Sequence, residues 1–376
     1  MLFESLTNAA HADGTLPGSM TVKQIMDTWT LQAGYPVVTV NRTAAGTSAI
    51  VSQKRFWTDN PDTGETWWIP VSYTTEANPN FEDTQPAQWM SDTDTEITIL
   101  PLPSASEWVI FNIQETGYYR VNYDDNNWNL LFQQLDLDPD VIHPLNRAQI
   151  NDDFVEMSRA GIHPYSKALQ LLKYLRKETD FIPWLSALNK IDHIESKLVR
   201  TSAYNAFKRY MLDLIMPLYE STASQENYDN VQQEQLNTLA TAWACGLGYD
   251  DCIEMAVNLY AKWMKDPDDI SIINPNIKKT VYCTAIAEGG GKEWEFAWSM
   301  YLEAESSFER GKLLEAMGCT RDTEILHRYL EKAFTKGSRI KQMDALVVFY
   351  SVAKNVVGRD VAWNFLRQNG RSIYEQ

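Results

Sequence analysis

The sequence predicts a multidomain protein in which a short helical segment precedes a small antiparallel β-sandwich, followed by an all-α domain of curved, stacked helical repeats. Three observations lead to this fold class. At 376 residues the chain exceeds the usual size of a single core. Up to about residue 104, short strand-like runs alternate with turn residues. From about residue 127 onward, the apolar residues follow a helical period. We place the domains at residues 1–34, 35–106 and 107–376.

The first segment, residues 1–34, holds two helical pieces. Thr21 and Gln24 have the spacing of a capping box, in which each side chain satisfies a backbone amide of the other residue. The apolar residues that follow lie on one helical face: Val22, Ile25, Met26 and Trp29. Gly34 and Pro36 then end the helix.

The predicted sandwich consists of short runs rich in β-branched and aromatic residues. These runs cover residues 37–40, 49–53, 66–73 and 97–100. Turn residues separate them, as is typical of a small antiparallel sandwich. Such a unit carries no chemistry by itself.

The stretch from Trp108 to Asp124 marks the change from strands to helices. Two aromatic and β-branched runs, 108–113 and 118–123, flank a polar connector that ends at Gly117. Because glycine adopts positive φ readily, the pattern predicts a β-hairpin. Asp124 is the expected cap of the first long helix.

The remaining sequence predicts a succession of helices joined by short connectors. They cover residues 127–135, 146–160, 164–176, 183–192, 194–219, 230–246, 249–264, 275–288, 292–304, 308–317, 321–335, 340–354 and 358–368. Connectors of a few residues imply antiparallel neighbours, and therefore stacked helical hairpins.

Charge and hydropathy exclude several classes of partner. The formal net charge is -17, with no local basic stripe, which disfavours nucleic acid and anionic membrane surfaces. No stretch of about 18 apolar residues could span a bilayer, and the N-terminus lacks the pattern of a signal peptide. The sequence therefore predicts no membrane-spanning segment in this chain.

Motifs for catalysis or metal binding are incomplete. The histidines lie far apart and do not share a helix face: His11, His143, His163, His193 and His327. The acidic turn that starts at Asp136 resembles a calcium loop, but Val141 and Arg147 occupy the positions of its glycine and bidentate glutamate. The glycines before Lys292 resemble a phosphate loop without its remaining residues.

Two features bear on the cellular compartment. The four cysteines are compatible with two disulfides in an oxidising compartment or with four buried thiols in a reducing one, and three pairings are possible. They are Cys245, Cys252, Cys283 and Cys319. The sequon at Asn41 favours a secreted chain, and we predict that Asn41 carries a glycan.

Several ordered stretches resemble one protein family. Residues 16–38 resemble the passage from the catalytic domain to the β-sandwich in the aminopeptidase N family of zinc metallopeptidases. Residues 117–124, Gly-Tyr-Tyr-Arg-Val-Asn-Tyr-Asp, resemble the opening of that family's helical domain. Further matches surround the four cysteines. The resemblance covers essentially the whole chain, and its overall character is most similar to the insect midgut members.

The resemblance implies that this chain is a C-terminal part of such an enzyme. The zinc motif His-Glu-x-x-His and the catalytic tyrosine of the family lie upstream of the stretch where this chain begins. We therefore expect residues 1–34 to be the tail of the catalytic domain. We expect no catalytic, cofactor-binding or metal residue here, and zinc only in the parent enzyme. The helical domain would be truncated, and it would wall and gate the active-site cavity.

The resemblance also implies disulfides, partners and a location. It favours pairing of Cys245 with Cys252 and of Cys283 with Cys319. Peptides are the expected substrates of the parent, which would be held at the cell surface by an anchor, such as a GPI anchor, outside this chain. A second interpretation is a binding module, because insect members serve as receptors for bacterial insecticidal crystal toxins.

Overall fold

A computed structural model describes residues 1–56, 64–223 and 230–374 of the chain. The chain divides into two compact units, Met1–His193 and Ile194–Gln376, and each is described by itself. The fold class predicted from sequence is confirmed, because a small β-sheet region is followed by a long series of helices. The domain boundaries at residues 34 and 106 stay predictions.

Two helices begin the first unit: α1 Leu2–Ala12 and α2 Val22–Thr30. The predicted capping box is present, since the Thr21 hydroxyl accepts from the Gln24 amide at 3.2 Å and the Gln24 side chain accepts from the Thr21 amide at 3.0 Å. The Trp29 indole donates to the Trp68 carbonyl at 3.0 Å, which fixes α2 against the strand region.

The sheets are built from eight short strands in the described residues. They are β1 Pro36–Arg42, β2 Ala49–Arg55, β3 Ile69–Val71, β4 Tyr73–Thr75, β5 Gln88–Met90, β6 Glu96–Ile99, β7 Val109–Phe111 and β8 Arg120–Tyr123. One sheet has the order β6-β2-β1-β8, and two-stranded sheets pair β3 with β5 and β4 with β7. All pairs are antiparallel except β1 with β8, which is parallel.

The predicted hairpin between residues 108 and 123 is wrong. β7 pairs with β4 and β8 pairs with β1, so the two runs belong to different sheets. The backbone turns at Asn112 instead of forming the tight turn of a hairpin. This residue is 1% exposed and has a φ of 62°. Its side chain accepts from the Gly117 amide at 2.8 Å and donates to the carbonyls of Gly117 and Tyr119. This asparagine therefore carries the chain from one sheet to the other.

The first unit continues with helices that cover the sheets: α3 Asp125–Leu137, α4 Pro144–Arg159, α5 Tyr165–Leu171 and most of α6 Phe181–Leu198. Asp124 caps α3 as predicted, accepting from the Asn127 amide at 3.0 Å. Trp128, which is 2% exposed, packs edge-on against Tyr123 of β8 and Phe154 of α4. These rings join the sheet to the helices in one core.

The second unit contains α7 Tyr204–Ala223, α8 Val231–Gly246, α9 Asp250–Lys265, α10 Lys278–Glu288, α11 Gly291–Glu303, α12 Ser307–Met317, α13 Thr323–Phe334, α14 Ala345–Lys354 and α15 Gly358–Tyr374. Helices α8, α10, α12 and α14 pack against one another in that order. The other helices of the unit pack against members of this row. This arrangement confirms the predicted stack of helical hairpins.

Local differences from the prediction have identifiable causes. The predicted break near residue 193 is absent, and α6 continues to Leu198, where Thr201 donates its hydroxyl to the Leu198 carbonyl at 2.8 Å and ends the helix. The single strand predicted over residues 66–73 is two strands, β3 and β4, because Ser72 between them bonds to the crossover at residues 112 and 113. The strand β5 was not predicted.

Candidate functional site

The histidines of the chain have separate local contacts. His143 caps α4 by accepting from the Leu145 amide at 3.2 Å, and His163 contacts Asn122 at 2.9 Å while stacking on Phe154. Among the residues that the structure describes, no group of three or more His, Cys, Asp or Glu side chains is placed to hold a metal ion. The residues that the structure describes therefore do not supply the three convergent protein ligands that a catalytic zinc needs.

The two weak loop motifs take structural roles. In the acidic turn, Asp138 caps a short 3₁₀ helix by accepting from the Asp140 amide at 3.1 Å. In the glycine-rich segment, the Gly290 amide donates to Glu293 at 2.8 Å, which begins α11. Backbone groups in both loops are thus satisfied by neighbouring side chains.

The cysteines form two disulfides, which join the same pairs that the family resemblance implies. Cys245 at the end of α8 is bonded to Cys252 in the first turn of α9, with their Cα atoms 5.1 Å apart. Cys283 in α10 is bonded to Cys319, just after α12, with their Cα atoms 5.3 Å apart. The second bridge therefore ties two consecutive members of the central row.

A groove of about 490 Å³ runs along α8, α10 and α12 beside this second disulfide. Small side chains form its floor, because Ala242 and Gly246 lie one turn apart on α8, and Thr280 and Thr284 lie one turn apart on α10. Cys283 also lines it. Small side chains allow close approach of another chain, so the groove is a candidate surface for an extended peptide.

One wall of the groove is formed by the start of α12. Phe308 is 73% exposed, and the ammonium of Lys312 lies 4.6 Å from the centre of its ring while donating to the Pro275 carbonyl at 2.7 Å. Burial lowers the pKa of Lys312, with Glu309 acting in the opposite direction. The wall thus offers an aromatic face beside a partly desolvated cation.

Another cluster with shifted pKa values lies in the first unit, where β8 meets α4. Asp153, which is 2% exposed, accepts from Arg120 at 2.9 Å and from the Val121 amide at 2.8 Å. Burial raises the pKa of Asp153 to about 7, although both donors act in the opposite direction. Arg120 also pairs with Asp152, which pairs with Lys190 of α6 at 2.7 Å. This network joins β8 of the sheet to α4 and α6.

A second buried ion pair has a similar role. Arg147 of α4 bonds to Glu178 at 2.7 and 2.9 Å through two nitrogens, and the two side chains are 1% and 0% exposed. Arg147 also donates to the carbonyls of Pro139 and Ile142. The guanidinium thus fixes the loop before α4 to the loop before α6. Sequence reasoning identified neither network, because the partners are about thirty residues apart.

The described residues thus form a small β-sheet region followed by stacked helices, and two disulfides bridge the helices. Residues 108–376 match the family of the ERAP1-like C-terminal domain, and this chain belongs to that family.

Similarity to individual proteins extends over the whole chain. It is 35% identical to mouse aminopeptidase N over 100% of its own length and 39% of that protein. For chicken aminopeptidase Ey the identity is 33%, with 100% and 38% coverage, and for aminopeptidase N of Plutella xylostella it is 32%, with 99% and 40%. The chain thus spans about two fifths of the length of these relatives. The resemblance to the aminopeptidase N family is confirmed, and its relatives include both insect and vertebrate proteins.

Proposed function

We propose that this chain is a non-catalytic region of a zinc aminopeptidase that removes N-terminal amino acids from peptides. The observation that carries the proposal is the similarity of the entire chain to proteins named aminopeptidase N. The chain's own sequence lacks a His-Glu-x-x-His motif. The zinc and the water that it activates would be held by residues outside this chain.

In this proposal, the helical unit walls and gates the cavity in which the peptide is cleaved. The groove along α8, α10 and α12 supports this role, because a shallow surface of small side chains can accommodate an extended backbone. The two disulfides favour an extracellular location. Anchoring of the parent enzyme at the cell surface, through a GPI anchor, belongs to the same proposal. None of the helices in the described part of the chain combines the length and apolar character needed to cross a bilayer.

Two measurements test the proposal. The isolated chain, supplied with zinc, should not release 4-nitroaniline from alanine 4-nitroanilide. Zinc-dependent release that persists through purification to homogeneity would refute the non-catalytic assignment.

The wall function is tested in the complete enzyme that the proposal implies. Phe308→Ala should raise KM for a peptide of about ten residues by severalfold and leave KM for alanine 4-nitroanilide unchanged, because only the longer substrate reaches the groove. Tyr350→Ala is the matched control, since Tyr350 is 62% exposed but does not line the groove. Equal effects of both variants on both substrates would argue against a wall at α12.

A second candidate function is a receptor surface for bacterial insecticidal crystal toxins. Large aromatic side chains are exposed at Tyr118, Phe308, Tyr350 and Trp363, each by at least 60%, and such residues often dominate protein interfaces. Surface plasmon resonance with an immobilised crystal toxin would test this function. Binding to the folded chain that is weakened by alanine substitution of these aromatic residues would support it, whereas no binding at micromolar concentrations would count against it.

A further inference from the structure

A second cavity, of about 560 Å³, lies where the loop after α9 approaches the loop after α11. Its inner surface is apolar and aromatic. Trp263 and Tyr282 stack with their ring centres 4.7 Å apart, and the apolar side chains of Ile273 and Leu313, which are 2% and 0% exposed, lie beside them in the lining. We call this cavity the α9–α11 cleft.

The rim of the α9–α11 cleft is strongly acidic. Its lining carries five carboxylates and a single basic side chain, Lys278. The acidic residues are Asp268, Asp269, Glu303, Glu305 and Glu309. Within residues 1–56, 64–223 and 230–374, no ion pair involves Asp268, Glu303 or Glu305. In the described residues, the cleft therefore combines an apolar floor with three carboxylates outside any ion pair, and the Arg310 guanidinium reaches its edge by donating to the Ala304 carbonyl at 2.9 Å.

The protein already places one cation against this lining. The ammonium of Lys278 lies 3.4 Å from a Glu309 carboxylate oxygen, which also accepts the Tyr282 hydroxyl at 2.6 Å. The side chains of Lys278 and Glu309 are 17% and 24% exposed, so the aliphatic stem of the lysine is largely covered. The lining thus accommodates an aliphatic stem that ends in a positive charge.

We propose that the α9–α11 cleft binds the side chain of a lysine or arginine from a polypeptide partner. Its aliphatic stem would pack on the apolar floor beside Ile273, and its charged end would meet Glu303 and Glu305. A metal ion fits less well, because the described residues of this lining do not converge as metal ligands and the floor is apolar. This inference rests on the cleft alone and holds whether or not the chain belongs to a peptidase.

The experiment uses the full chain, labelled with ¹⁵N, and the peptide acetyl-Ala-Arg-Ala-amide. The Trp263 indole donates to the Pro267 carbonyl at 3.2 Å, and both residues line the cleft, so its N–H signal reports on occupancy. A Trp263→Phe variant assigns that signal. We expect saturable shifts with the arginine peptide and a lysine peptide, and much smaller shifts with a citrulline peptide, which has the same shape without the charge.

Charge variants separate specific binding from general attraction to an acidic protein. The double variant Glu303→Gln/Glu305→Gln should bind the arginine peptide roughly fivefold more weakly, since each exposed carboxylate contributes modestly. Glu295→Gln is the matched control, because Glu295 is an exposed glutamate of α11 that does not line the cleft. Equal binding of the arginine and citrulline peptides, equal losses in both variants, or no shift of the Trp263 signal would overturn the proposal.

Discussion

The bridge between Cys283 and Cys319 should stabilise the helical unit more than the bridge between Cys245 and Cys252. The first pair is 36 residues apart in sequence and the second pair is 7 apart. A cross-link lowers the entropy of the unfolded chain more when it closes a longer loop. This relation assigns about 4 kcal/mol to the longer loop and about 2.4 kcal/mol to the shorter one.

These free energies convert into shifts of the unfolding temperature. The unit Ile194–Gln376 should have an unfolding entropy of about 0.4 kcal/mol/K, from an average of about 2 cal/mol/K per residue. Cys283→Ala/Cys319→Ala should therefore lower Tm by about 10 °C, and Cys245→Ala/Cys252→Ala by about 6 °C. Differential scanning calorimetry of both double variants measures these shifts.

The loss of buried side-chain volume lowers Tm more for the pair with the shorter loop. Its contribution must therefore be subtracted before the two cross-links are compared. Cys252 and Cys245 are 0% and 6% exposed, so alanine leaves more unfilled volume there than at the partly exposed Cys283 and Cys319. We would also measure Tm of both double variants and of the wild-type chain in excess reductant. No cross-link is then present, so the Tm of each variant differs from that of the wild type only through packing. Subtracting that difference isolates the effect of each cross-link. If the shorter loop then showed an equal or larger loss, the loop-entropy argument would be refuted.

Three further predictions concern single side chains. Asn41, which is exposed in β1, should carry a glycan in secreted material, so Asn41→Gln should migrate faster on a gel and be insensitive to a peptide N-glycosidase. The folded-state pKa of Asp153, about 7, exceeds its unfolded value, so the free energy of unfolding should fall as the pH rises from 4 to 7, by at most about 1.4 kcal/mol per pH unit. Urea titrations of Asp153→Asn at the same pH values should lack this slope. Glu178→Gln should cost about 3 kcal/mol in the same assay because it removes the buried charge partner of Arg147. The matched control Asp180→Asn, which removes a 43% exposed carboxylate that also bonds to Arg147, should cost under about 1 kcal/mol.

The helices could be predicted closely from sequence because their signals are local. Glycine or capping residues lie at most helix ends, and α8, α9 and α12 begin and end within one residue of the predicted bounds. The break between α6 and α7 was misplaced because its cause, a hydrogen bond from Thr201, is specific to the folded chain. Local periodicity carries no information about such a contact.

The strand pairing could not be predicted, because it depends on contacts distant in sequence. The runs at β7 and β8 resemble a hairpin when their neighbours are ignored, but their partners lie about 35 and 80 residues earlier in the chain. The groove and the α9–α11 cleft depend in the same way on which helices become neighbours. The sequence shows which residue types are present, but it does not show which of them come together to line these two surfaces.

The central row of α8, α10, α12 and α14 determines where this chain tolerates changes in length. One residue inserted in the middle of α10 would rotate the following turns by about 100°. Cys283 would then face away from Cys319, and Tyr282 from Glu309. An insertion in the connector between α9 and α10, near the 80% exposed Ile270, would leave these pairs in register. Related chains should therefore vary in length at their connectors and keep the lengths of the row helices.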